Sequence, residues 1–256
     1  MTMLAFHNDP KVRQDALDRA KGHREADELV QGQYWDSGKG CFVGCTVRDM
    51  AGVTLAPLTD QGHSLFPTIL GVPEQLAWLG DELFEMQTQE DSLLWPERIL
   101  NAIPLGADLS GVRDRWSLWI LMDETWGIFQ IAHESKAVVC AMGELFRRAT
   151  EGDEPTKDEW DRAARAARVA WATRAAWAAR DAWAARAARA AWDAWNARAA
   201  WDTWAAWDAW DARAAWAAWA ARDARDAKDA SWTTAACDEL IRLLEIAPVP
   251  TLIETV

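Results

Sequence analysis

Two thiols and two imidazoles carry the most chemical reach in the first quarter of the chain. Cys41 and Cys45 lie four positions apart, and His23 and His63 each lie 18 positions outside the nearer cysteine. Four such donors can surround a zinc ion tetrahedrally, and Asp27, four residues after His23, can orient that ring as an outer partner. The outer spacings match no common zinc motif, and small buried cysteines and hydrogen-bonded histidines are the commoner use of these residue types. The same set allows a Cys–His nucleophilic pair, although no acid–base constellation accompanies it. His23, Cys41, Cys45 and His63 are thus candidate metal ligands or thiol-chemistry residues, and no cofactor is expected. His7 and His133 have no recognisable partners, and Cys140 and Cys237 fall in helical patterns as core residues.

The elements that must position these side chains are mostly helices. Asp9 and Pro10 make a helix start, with Val12, Ala16, Ala20, His23 and Val30 recurring at helical spacing up to Gly32. Pro73 begins a second helix with Leu76, Leu79, Leu83 and Met86. Pro96 opens a short third with Ile99, Leu100 and Ile103, a fourth carries Val112, Trp116, Trp119 and Ile120, and a fifth runs over about 134–148. Only 42–47 and 52–58 suggest strands. The Gly-Lys pair at Gly38-Lys39 suggests a phosphate loop, but Gly32 is one residue too far upstream and Gly40 stands where Ser or Thr would bind magnesium. That match is rejected.

The chain has 256 residues, 27 basic and 40 acidic, for a net charge of -13. No stretch of about 18 apolar residues is free of charges, so a membrane partner is not expected. Residues 1–10 lack the pattern of a signal peptide, and four scattered cysteines do not staple a chain of this length. A cytoplasmic location with reduced thiols is the expectation. The charge is uneven: residues 1–161 hold 14 basic and 28 acidic side chains, whereas residues 162–230 hold 12 and 8. So weak a basic excess argues against nucleic acid as the main partner.

The dominant feature follows the break at 151–155. Thr156 and Glu159 match a capping box, and neither Gly nor Pro occurs between Pro155 and Pro248. Residues 162–230 are 23 consecutive triplets beginning with Trp, Arg or Lys and ending in Ala except at Thr173 and Thr203. Eleven begin with tryptophan: Trp171, Trp177, Trp183, Trp192, Trp195, Trp201, Trp204, Trp207, Trp210, Trp216 and Trp219. Ala and Arg favour helix. In an α-helix each triplet turns the first position by about -60°, so Trp points in all six directions and no polar face exists. Packed α-helices are the preferred solution, and a 3₁₀-like helix of period three is the alternative. Eleven indoles carry on the order of 2,000 Å² of surface, far beyond the few hundred Å² that monomers leave exposed as one patch. Arg three positions from Trp adds cation–π contacts.

The run Tyr34-Trp35 through Gly38-Lys39-Gly40-Cys41 to Gly44-Cys45-Thr46, with Leu70-Gly71-Val72-Pro73, Trp95-Pro96 and the segment 102–110, resembles a group of bacterial and phage-encoded proteins of unassigned function. Such proteins pair a body of this kind with an Ala-rich tail bearing aromatic or Arg residues and a short Leu-rich closing helix. The resemblance implies no activity.

The sequence therefore predicts a mainly α protein: an acidic helical body over 1–150, a linker at 151–155, a repeat module over 156–247 closed by a helix at 234–246, and a tail at 248–256. The expected role is structural or protein-interacting rather than enzymatic, with the repeat Trp residues as the binding surface for self-association or a protein partner. The alternatives are nucleic-acid binding by Trp stacking with Arg on phosphates, and a thiol- or metal-dependent enzyme at Cys41 and Cys45.

Overall fold

Asp9 starts the first helix as its type and the following proline require: its carboxylate accepts a hydrogen bond from the Lys11 backbone N–H at 2.8 Å, and Pro10 needs no partner for a missing N–H. The computed structural model describes residues 3–48, 62–130, 132, 135–175 and 227–251. Within them the protein is mainly α, with helices α1 (Pro10–Glu25), α2 (Phe42–Arg48), α3 (Gly62–Leu70), α4 (Glu74–Met86), α5 (Gln89–Ala102), α6 (Val112–Met122), α7 (Lys136–Thr150), α8 (Lys157–Ala175) and α9 (Ala227–Glu245). A two-stranded antiparallel ribbon, β1 (Trp35–Asp36) and β2 (Lys39–Gly40), and two short 3₁₀ segments, Ala5–Asn8 and Ile128–Gln130, complete the regular structure described. No helix among the described residues is long and apolar enough to cross a membrane.

The chain divides into two compact units, Met1–Arg113 with Ala217–Val256, and Asp114–Trp216. In the first, α1 packs on α5, α2 lies against α1, α3 and α4, and α9 closes the core against α4 and α5. Trp95, Phe42, Phe66, Phe84 and Leu240 are almost completely buried there, and the Trp95 indole donates to the Gly80 carbonyl at 2.8 Å. The C-terminal segment is tied down as well: Arg98 pairs with Asp238 at 2.9 Å, and the Asp108 N–H donates to the Pro248 carbonyl.

In the second unit α7 and α8 form an antiparallel-type pair joined by a short turn at 151–155, the segment read as a linker. Gly152 adopts a left-handed φ of 85° in that turn, and Arg148 bonds both Asp153 and Glu159 at 2.7 Å. The capping box forms as its spacing demands, with Glu159 accepting from the Thr156 N–H at 2.7 Å and the Glu159 N–H reaching the Thr156 hydroxyl at 3.3 Å. Trp160 meets Phe146 edge-on at 4.9 Å. Trp160, Ala164 and Ala167, spaced i, i+4, i+7, are buried, while Arg162 and Arg165 are exposed. The first triplets of the repeat thus place third-position Ala inward and first-position Arg outward on an α-helix.

Several local expectations change. The segment 42–47 is helix rather than strand; all six residues are buried, and a run covered on every side carries no readable period. The other expected strand, 52–58, lies outside the described residues. Pro96 sits inside α5 instead of opening it, because Thr88 already caps the helix by accepting from the Asp91 N–H at 3.1 Å. Helix α1 stops at Glu25, since Asp27 turns left-handed (φ 56°) and the Glu28 N–H bonds back to the His23 carbonyl. The closing helix begins at Ala227, not near 234, and so includes the last triplet, 228–230. Trp171 lies on α8, and the ten later repeat tryptophans lie outside the described residues.

Candidate functional site

The glycines of the 38–44 run serve two purposes: Gly38 permits a turn, and Gly40 and Gly44 permit close packing. Ser37 and Gly38 both take left-handed φ values, 51° and 88°, which closes the two-residue turn between β1 and β2. A Cβ on Gly40 would lie 2.2 Å from the Tyr34 carbonyl oxygen, and one on Gly44 only 1.6 Å from the same atom. The Tyr34 backbone is therefore seated directly on the start of α2, and the Cys41 N–H donates to the Gln33 carbonyl at 2.7 Å. Lys39 pairs with Asp27 at 3.1 Å.

Seating Tyr34 there aims its hydroxyl at His63 Nδ1, 3.2 Å away. His63 is fully buried at the first turn of α3 and lies flat on Trp78, with ring centroids 3.4 Å apart and planes within 8°. Its other nitrogen, Nε2, lies 3.1 Å from Asp81 Oδ2. Trp78, Asp81 and Glu85 follow one another on one side of α4 at i, i+3 and i+7. The Cys41 sulfur, an Asp81 oxygen and a Glu85 oxygen all lie within 4.8 Å of one another. Glu85 is the half-buried edge of the group and accepts from the Gly32 N–H at 2.7 Å. Gln31 fixes that loop to the end of α4 by donating to the carbonyls of Phe84 at 2.7 Å and Gln87 at 3.0 Å.

The four donors singled out by type are split by the fold. Cys41 and His63 converge on Asp81. His23 turns to Glu28, not Asp27, with Nδ1 and Oε2 at 2.6 Å, and its ring meets Trp35 edge-on at 5.8 Å. The Arg48 guanidinium lies 3.9 Å from the Trp35 ring. The Cys45 thiol donates to the Gly40 carbonyl at 3.4 Å and approaches that of Glu28 at 3.9 Å. His7 pairs with the Thr68 carbonyl at 2.9 Å, His133 lies outside the described residues, and Cys237 is buried in the core while Cys140 is half-buried. Asp81 and Glu85 were not distinguished from the other acidic residues by motif. The signal for Asp81 is positional, since it shares the apolar i, i+4, i+7 line of Ala77 and Phe84; Glu85 carries none.

Burial dominates the electrostatics. It pushes the Cys41 thiol well above its usual range, with the negative charge of Asp81 adding to the effect. Burial, then the charge of Asp81, also raises Glu85 to about 7 against the bond from the Gly32 N–H. A carboxyl raised on folding stabilises the fold fully below its ordinary value of about 4.5, and that contribution is lost as pH rises through about 7. The stability of the metal-free chain relative to Glu85→Gln should therefore fall by about 3 kcal/mol between those limits, as read from denaturant midpoints at a series of pH values. A flat difference would show that Glu85 is ionised without penalty.

The cluster can hold a proton between a thiol and two carboxylates, or exchange it for a cation; His63, oriented from both sides, supports Asp81 in either case. The chain matches no family model, and no curated protein or solved structure is significantly similar to it.

Proposed function

We propose that the chain is a non-enzymatic protein-interaction protein whose Trp/Arg triplet repeat mediates self-association. The observation that carries this reading is the α-helical register of the repeat at both ends: α8 takes in residues 162–175 and α9 takes in residues 227–230. An α-helical register turns successive first positions by about -60° per triplet, so a continued helix would present indoles on every side. One neighbouring helix of the same chain covers one side only. The remaining aromatic surface calls for further helices, and a second copy supplies the same self-complementary mixture of Trp, Ala and Arg. The acidic character of residues 1–161 against the basic excess of 162–230 favours association between copies over binding to nucleic acid.

Light scattering on the full chain tests the proposal. The expected mass is a multiple of 28.6 kDa, and simultaneous Trp201→Ala, Trp204→Ala, Trp207→Ala and Trp210→Ala should return it toward the monomer. The full chain is required, because cutting the chain at Thr150 would remove α9 and with it Leu240, Leu243 and Leu244 from the core. A monomer at all concentrations, unchanged by the four substitutions, would refute self-association.

A further inference from the structure

The Cys41–Asp81–Glu85 cluster has the composition and closeness of a metal site. One sulfur and two carboxylate oxygens from three different side chains lie within 4.8 Å of one another. Around a zinc-sized ion with bonds of 2.0–2.3 Å, tetrahedral donors stand about 3.3–3.8 Å apart, so a small inward closure of these side chains suffices. An independent feature points the same way. Asp81 is only 8% exposed; its Oδ2 is engaged by His63, its Oδ1 is buried without an N–H or O–H donor, and the Cys41 thiol is the further group that interacts with the carboxylate. A buried oxygen in that condition is costly unless a donor or a cation meets it.

The geometry points to a divalent transition-metal site, of the zinc class, ligated by Cys41 Sγ and the carboxylates of Asp81 and Glu85, with His63 positioning Asp81. The thiolate selects a borderline-soft ion over magnesium or calcium, which prefer all-oxygen shells. His63 acts as the outer partner that holds a ligating carboxylate in orientation, and Tyr34 and Trp78 hold His63 in turn. Glu85, the half-buried member, is the side from which an ion and a water on the fourth position enter. Cys45 and His23 take no part, being engaged with Gly40 and Glu28.

Cobalt(II) added to the metal-free full chain is the test, since thiolate ligation gives a charge-transfer absorption that carboxylates alone do not. One equivalent should produce that band and zinc should displace it. Cys41→Ser should abolish the band, whereas Cys45→Ser and Cys140→Ser keep it. Glu85→Gln, at the half-buried edge and compatible with folding, should keep a weaker band with affinity lowered at least about a hundredfold, beyond the roughly ten- to hundredfold expected for loss of the outer partner in His63→Gln. No band with the unaltered chain, a band that survives Cys41→Ser, or an affinity unchanged by Glu85→Gln would each overturn the proposal.

Discussion

Gly44→Ala is expected to destabilise the first unit by at least about 3 kcal/mol, a larger loss than overpacking usually causes. The added methyl would lie 1.6 Å from the Tyr34 carbonyl oxygen and 2.7 Å from its carbon. Both atoms are backbone, so no flexible side chain can swing aside. Either α2 shifts away or the 33–36 segment moves, and in both cases the Tyr34 hydroxyl leaves His63. Gly22→Ala is the matched control: Gly22 lies within α1 with open space around its Cα, so helix propensity alone should act and stabilise by up to about 1 kcal/mol. Denaturant midpoints that move alike for the two variants would contradict this reading of the glycines.

Leu240→Ala is expected to cost about 2–5 kcal/mol. Leu240 is completely buried where α9 meets α4 and α5, and it lines the same apolar space as Phe42, Phe66 and Leu100. Ile246, just beyond α9 and 55% exposed, should tolerate Ala within about 0.5 kcal/mol. Urea unfolding of both variants checks the claim that the helix leaving the repeat is a core element. Equal small effects would make α9 a peripheral attachment, and truncations before it would then be acceptable probes.

The helical class, the start of α1 at Asp9 and the capping box at Thr156 and Glu159 were legible because each rests on contacts within one turn. The segment 42–47 was not. Its six buried residues carry neither a period of two nor of 3.6, and the approach of the Tyr34 backbone to Gly44 that seats the helix is a contact no local pattern encodes. The site was half legible. Cysteine and histidine stand out by type, so Cys41 and His63 were found, together with Cys45 and His23, whose partners are Gly40 and Glu28. Asp81 and Glu85 are two of 40 acidic residues, and only the line Ala77, Asp81, Phe84 on α4, a carboxylate on an apolar stripe, marks one of them in advance.

The two proposals fail separately. Metal binding at Cys41 rests on the first unit, while association rests on the indoles of the repeat, which make up 11 of the 19 tryptophans and so dominate the fluorescence of the chain. Acrylamide quenching of that fluorescence, followed alongside mass as the full chain is diluted, tests the central claim most directly. Poorly quenched, blue-shifted emission is expected in the associated state, with quenching rising as the mass falls. Emission that quenches as freely as an exposed indole while the chain is folded and monomeric would contradict that claim.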